Sequence, residues 1–417
     1  MKLIHLNTFS SGGAFNAVDR LNKSLSIEGL NSSVITQDEL EPYFNSKILN
    51  NAVISFYWRV VRKYYSFRYK PFAPFFPFFI FKSFYLSQIL SQIPSIINLH
   101  WVNDFIDYKY FFTNLAGKIP IVWTLHDKNI FLGGFHHELE SDIFSEKFAN
   151  NKPLGDIGRN DIDNKIFLYK KRIFDSVNNT NLCFISPSKS LKERAKQSHL
   201  SKFKIEHIPN SIDTQIFIPN DRCESRNQLN LPIHTKILLF CSHKLDNKWK
   251  GLDILIKALE KLPTSYLCIL IGQKGIIDCK QKNIKFISLT NSEEELTLYY
   301  SASDLLINPT LEDNLPNTVL ESIACGTPVI GSNVGGIPDM VRNGLTGFLF
   351  ETGNSEDLAR KIELYFSLSE EKRNEMSKNC REIAVKEYSL EVQAKAYIKL
   401  YEEILKNWKP INEDYSS

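Results

Sequence analysis

Paired cysteines are missing from this chain. Its seven cysteines, Cys183, Cys223, Cys241, Cys268, Cys279, Cys325 and Cys380, are odd in number and scattered, and no two form a Cys-x-x-Cys pair. That distribution argues against a disulfide framework or a cysteine zinc site and fits reduced thiols in a cytosol. A dominant charge is also missing. The 50 Lys and Arg residues face 47 Asp and Glu, and a formal net charge of +3 is too even for a dedicated nucleic-acid binder. No apolar run reaches bilayer length. The most apolar stretch, Phe72 to Tyr85, is broken by Pro74, Pro77 and Lys82 and is too short to span. The opening Met-Lys-Leu-Ile-His-Leu-Asn reads as a short strand entering a glycine loop rather than as a signal peptide. The full dinucleotide fingerprint is absent after that strand, which argues against an NAD enzyme. What the chain does have is 43% hydrophobic residues over 417 positions, enough for sizeable cores in two or three domains.

Two series of strands and helices are legible. The first has strands at Lys2 to Leu6, Ser33 to Thr36, Ser95 to Leu99, Ile121 to Leu125 and Leu182 to Ser186, with a helical pattern over Ala14 to Glu28. The second has strands at Lys236 to Cys241, Tyr266 to Ile271, Ile284 to Leu289, Asp304 to Asn308 and Pro328 to Gly331. Leu252, Leu255, Ile256, Leu259 and Leu262 mark a helix in that series by their apolar stripe. Alternating strands and helices predict an α/β fold of two Rossmann-like domains, each a parallel sheet with helices on both faces, and a ligand cleft between them. The predicted join lies at Ile208-Pro209-Asn210-Ser211-Ile212-Asp213. This divides the chain into a domain over 1–208 and a domain over 209–389, with a helical stretch from Leu390 to Trp408.

The stretch from Pro309 to Gly336 carries the most chemistry. It reads as an acidic loop, a helix start and a buried strand, with Pro316 at the first helical position and Gly326 at the helix stop. Backbone amides at that helix start suit a phosphate, which makes Asn314, Leu315, Pro316, Asn317 and Thr318 donor-binding candidates, Pro316 by its position rather than by an N–H. Glu321 within the helix and Glu312 and Asp313 before it would repel a bare anion. A sugar nucleotide reconciles the two, because the acids accept from sugar and ribose hydroxyls while the amides hold the diphosphate. Lys250-Gly251 precedes the helix at Leu252, where a cation would neutralise phosphates and stabilise a departing diphosphate by about 3 kcal/mol. Gly12-Gly13 follows the first strand and opens a helix, which lets a ligand approach the backbone.

The Pro309 to Gly336 stretch resembles the donor-site signature of retaining glycosyltransferases of family 4, in which a Glu, seven residues and a second Glu precede a small-residue strand. Glu321 matches the second acid. Asp313 holds the first position by spacing, with Glu312 beside it as the alternative. Trp123-Thr124-Leu125-His126-Asp127, followed by Gly133-Gly134, and Leu99-His100-Trp101-Val102-Asn103 resemble a subgroup linked to bacterial surface polysaccharides. The resemblance implies the two-domain GT-B fold, with the helix 390–408 crossing back onto the first domain. It implies that Gly12 and Gly13 border the transferred sugar and that His126 sits at the reacting carbon. Asp127, His100 and Asn103 fall on the acceptor side, and packing is the equal alternative for His100 and Asn103. Backbone near Leu289 would read the nucleobase. The family's Arg ahead of the lysine is replaced by Cys241-Ser242-His243-Lys244, so Lys244 or His243 is the substitute. Phe135 stands where the subgroup has a first cysteine, and Asp161-Ile162-Asp163 lies in a polar run, so no metal or other cofactor is expected.

The implied activity is metal-independent, retaining transfer of a sugar from a nucleoside-diphosphate sugar to a hydroxyl of a glycan or lipid-linked acceptor. The expected setting is cytoplasmic. The stretch 58–85, where Arg59, Arg62, Lys63, Arg68 and Lys70 interleave with aromatics, offers a peripheral membrane surface or else basic helices of the first domain. Two other readings stay open: a non-catalytic sugar-nucleotide-binding partner subunit, and a GT-B epimerase.

Overall fold

The computed structural model describes residues 1–37, 60, 92–115, 117–134, 162–178, 180, 182–263, 265–275, 283–290 and 292–408. The basic aromatic stretch 58–85 (Val60 apart), Phe135, Cys279, the insertion 138–161 and the Asp163 side chain lie outside the described residues. The chain folds as two compact units, Met1–Ile208 with the stretch from Ala394 onward, and Pro209–Gln393.

The first unit is built on β1 (Lys2–Asn7), β2 (Asn31–Thr36), β3 (Ile96–Leu99), β4 (Ile121–Thr124), β5 (Leu182–Ser186) and β6 (Lys204–His207). They form a six-stranded sheet in the order β2-β1-β3-β4-β5-β6, with neighbours parallel. Every residue of β3, β4 and β5 is buried, as a strand covered on both faces requires. Around them lie α1 (Gly13–Ile27), α2 (Tyr108–Leu115), α3 (Ile162–Ser176) and α4 (Lys189–Lys196). Strand β6 was not foreseen. As an edge strand of sequence Lys-Ile-Glu-His it carries no apolar run, and its pairing with β5 is what makes it a strand.

The second unit contains β7 (Lys236–Lys244), β8 (Tyr266–Gln273), β9 (Ile284–Ile287), β10 (Leu305–Asn308), β11 (Val329–Ser332) and β12 (Gly347–Phe350). The sheet order is β12-β11-β10-β7-β8-β9, again with parallel neighbours. The helices are α5 (Arg222–Gln228), α6 (Leu252–Leu259), α7 (Glu293–Ala302), α8 (Asn317–Ala324), α9 (Ile337–Met340), α10 (Ser355–Ser367) and α11 (Glu370–Tyr388). Alternate residues of β7 serve opposite faces: Ile237 and Leu239 join one apolar cluster, and Leu238 and Phe240 join the other. Strand β7 runs three residues beyond its apolar part because an irregularity between Cys241 and Lys244 re-pairs Lys244 with Gln273.

The last helix, α12 (Leu390–Asn407), closes the first core. Its Tyr397 and Tyr401 are buried with Leu3, Leu21, Ile96 and Ile185. Asn98 Nδ2 donates to Tyr401 OH at 2.9 Å, and Thr124 Oγ1 lies 3.0 Å from Tyr397 OH. The ends of the second unit are tied to each other. Ile212 N donates to Tyr388 O at 2.8 Å, and Gln393 bonds Ser211 and Pro209. Among the described residues no helix is long and apolar enough to cross a membrane.

Candidate functional site

In the second unit, the loops that follow β7, β10 and β11 meet. Gly251 has φ 70°, and a Cβ there would lie 2.0 Å from Pro309 O, so backbone touches backbone. Leu311 N and Thr310 Oγ1 both donate to Trp249 O at 2.8 Å. Gly335, at φ 58°, leaves no room either, because a Cβ would sit 1.8 Å from Asp313 O. These contacts set the acidic loop between the lysine loop and the Gly335-Gly336 turn.

The side chains follow from that frame. Lys250 ends a 3₁₀ turn over Lys248–Lys250, and its Nζ lies 2.5 Å from Asp313 Oδ2. Both groups are partly shielded, with side-chain exposures of 35% and 15%. Helix α8 starts just after this pair. Pro316 is its N-cap with an extended ψ of 125°, one position earlier than the sequence pattern placed it. The backbone amides of the first helical turn gather at this end, where Val319 N donates back to Pro316 O at 3.1 Å. Glu312, Asp313, Asn314, Asn317 and Thr318 are half-buried there, and Leu315 is buried. Gly326, at φ 71°, follows the Cys325 C-cap as expected of a helix stop.

Glu321 is buried, and Tyr300 OH donates to its Oε2 at 2.8 Å. Burial first, and then the Glu321 charge, push the Tyr300 hydroxyl well above its ordinary range, so it remains a donor. Tyr300 was not singled out from the sequence; its neighbour Tyr299 is equally aromatic, and only the helix phase of α7 distinguishes them. His243 and Lys244 are exposed on the extension of β7. Leu289 lies half-buried in the loop after β9, two residues beyond the strand end.

In the first unit, the loops after β1, β3 and β4 come together. Thr8 N donates to Trp101 O at 2.7 Å and Thr8 Oγ1 to Asn103 O at 2.9 Å. Gly12 caps α1 at φ 92°, and Gly12 and Gly13 are exposed with open space where a Cβ would stand. Asn103 is buried and accepts from Tyr108 OH at 2.8 Å. Asp127 accepts from Trp101 Nε1–H and from Asn129 N, both at 2.9 Å. The Asn129 loop is in turn held by the buried Lys170, which donates to Asn129 O, Asn129 Oδ1 and Gly133 O at 2.6 to 2.7 Å.

His126 follows β4 and is half-buried. Its Nε2 lies 3.0 Å from His100 Nδ1, and His100 Nε2 lies 3.0 Å from His5 Nδ1. Burial lowers the His126 pKa to about 4, opposed by the Asp127 charge, and lowers His5 to about 3. His100 is lowered well below its ordinary value by burial, then by its two histidine neighbours. His5 was not foreseen as a site residue. The only signal was a polar residue at the centre of an apolar strand.

Residues 221–383 match the family model described as Glycosyl transferases group 1. A D-inositol 3-phosphate glycosyltransferase of Corynebacterium aurimucosum is 27% identical over 208 residues, 45% of this chain, so the match spans about half of that relative (49%). An N-acetyl-alpha-D-glucosaminyl L-malate synthase of Bacillus anthracis is 23% identical over 415 residues, 96% of each chain. The crystal structure of Anabaena Alr3699/HepE in complex with UDP is similar with a TM-score of 0.63 and 17% identity, over 97% of this chain and 100% of that one. The two parallel sheets with flanking helices are the α/β, two-domain GT-B fold. The Glycosyl transferases group 1 match falls within the second unit, the unit that holds Lys250, Asp313 and Glu321.

Proposed function

We propose that this protein is a retaining glycosyltransferase that moves a sugar from a nucleoside diphosphate to a hydroxyl of a glycan or lipid-linked acceptor. The observation that carries the reading is the meeting of Lys250, Asp313 and the α8 N-terminus on backbone-packed loops. A cation and helix-start amides serve a diphosphate, and the neighbouring acids serve hydroxyls. The family match over 221–383 and the UDP complex of the similar structure support the same reading. The two relatives are named for different small acceptors, inositol 3-phosphate and L-malate, so the acceptor proposed here rests on the subgroup resemblance.

In the proposed reaction the bond from the sugar's anomeric carbon to the leaving phosphate oxygen breaks as the acceptor oxygen approaches the same face. The acceptor proton passes to the departing phosphate. Lys250 and the amides near Leu315 to Thr318 stabilise the developing charge without a metal ion. Glu321 receives the ribose, Asp313 or Glu312 the sugar hydroxyls, and His126 faces the reacting sugar. A polysaccharide-building role at the cytoplasmic side of a membrane belongs to the same proposal.

The test is calorimetric titration with UDP, GDP, ADP and their sugar conjugates in EDTA. Tight, base-selective binding is expected. Failure to bind any of them would overturn the reading. Binding of a sugar nucleotide without turnover across an acceptor panel would favour a non-catalytic partner subunit.

A further inference from the structure

The histidines of the first unit lie end to end across three adjoining strands. His5 is in β1, His100 follows β3 and His126 follows β4, and those strands are neighbours in the sheet. The two nitrogen–nitrogen contacts are both 3.0 Å. Ring centroids are 5.2 and 5.3 Å apart, with interplanar angles of 38° and 28°. His5 and His100 are buried, and burial keeps all three rings neutral.

A neutral imidazole has one N–H and one accepting nitrogen. His100 uses both of its nitrogens within the row, so it donates to one neighbour and accepts from the other. Only two proton arrangements then satisfy both contacts. In one, every ring donates from Nδ1 and the row runs from His5 through His100 to His126. In the other, every ring donates from Nε2 and the row ends on an N–H at His5 Nε2. That nitrogen is buried and has no hydrogen-bond partner among the described residues. The second arrangement therefore strands an N–H in the core, and orphaned buried N–H groups are the rarer defect. The first arrangement leaves only a bare ring nitrogen there.

We propose that His5 and His100 are positioning residues that lock His126 with its proton on Nδ1, so that its nitrogen away from the row is a hydrogen-bond donor and not a base. What that donor does depends on the proposed function; the lock itself does not. Free histidine in water prefers the proton on Nε2, so the fold imposes the less common form. A donor His126 is consistent with a reaction in which the leaving phosphate takes the acceptor proton.

Nitrogen-15 spectra of histidine-labelled protein test this, with His5, His100 and His126 signals assigned among the nine histidines through single-site variants. All three are expected to show a protonated Nδ1 and a bare Nε2. A protonated Nε2 on His5 or His126 would overturn the proposal. His5→Ala opens a space where water can accept from His100, which releases the row to run the other way. The His126 signal is then expected to shift toward the Nε2–H form, although the altered residue touches His100 and not His126. An unchanged His126 signal in a folded His5→Ala protein would also overturn it. If that variant does not fold, the spectrum of the unaltered chain still decides. No substrate is needed, so a protein that binds no sugar nucleotide can still pass or fail this test.

Discussion

Lys250 Nζ lies 2.5 Å from Asp313 Oδ2, so the cation of the candidate phosphate site and the acid of the candidate sugar site form one ion pair. A diphosphate must compete with Asp313 for the lysine. Asp313→Asn is therefore expected to tighten binding of a nucleoside diphosphate. A partly exposed pair of this kind contributes roughly 0.5–1 kcal/mol, so the gain is about two- to fivefold in Kd. Lys250→Ala should weaken the same binding about tenfold or more. Calorimetry on the three proteins checks both, and equal affinities throughout would remove Lys250 from the phosphate site.

Glu321 joins stability and function. Glu321→Ala removes the carboxylate that accepts from the Tyr300 hydroxyl in the core and should lower stability by about 1–3 kcal/mol along with turnover. Glu321→Gln keeps an acceptor for Tyr300, so its fold should be nearly intact. Turnover that falls sharply in Glu321→Gln at unchanged melting temperature would place the carboxylate in contact with substrate. Full activity there would withdraw the ribose assignment.

Gly251→Ala is expected to destabilise the second unit by about 1–3 kcal/mol, since φ 70° is strained for alanine and the added carbon meets Pro309 O. The displaced loop carries Lys250, so nucleotide affinity should fall as well. Chemical denaturation of the variant measures the first effect and titration the second. An alanine tolerated without loss of either would contradict the backbone contact.

Acid should destabilise the first unit. The folded pKa of His5 is about 3 and that of His126 about 4, both depressed from 6.5 chiefly by burial. The unfolded chain therefore takes up these protons first as the pH falls. Their stabilising contribution is complete above pH 6.5 and is lost as the pH drops from 6.5 toward 4 for His126 and toward 3 for His5. Each histidine steepens the loss by up to about 1.4 kcal/mol per pH unit. Denaturant midpoints taken from neutral to acid pH should show this slope, and His5→Leu should reduce it.

Much of this architecture is legible in the sequence because the strands of a parallel sheet are short, continuous apolar runs. Ile121 to Leu125 and Leu182 to Ser186 lie within one residue of β4 and β5. Two edge strands, β6 and β12, escaped notice because pairing, not composition, makes Lys-Ile-Glu-His and Gly-Phe-Leu-Phe into strands. The frame of the candidate site is legible where backbone signals are strong, as at Pro316 and Gly326, which start and stop α8. It is not legible where a residue acts through a distant partner. Tyr300 and Glu321 are 21 positions apart, His5 and His100 are 95 apart, and no local pattern announces either contact. The pairing of Lys250 with Asp313 is of the same kind, with both residues noted but their bond unforeseen.

Tyr397 and Tyr401 fill the first core, and Tyr401 bonds Asn98 from 303 positions away. A ribosome releases residue 401 only after all of Pro209–Gln393 has been made. Domains generally fold as units, those nearer the N-terminus first, as the chain emerges. The placement of α12 predicts the reverse order for this chain: the inserted unit, with its ends tied through Ile212 and Tyr388, can finish folding while the amino-terminal sheet still waits for its last helix.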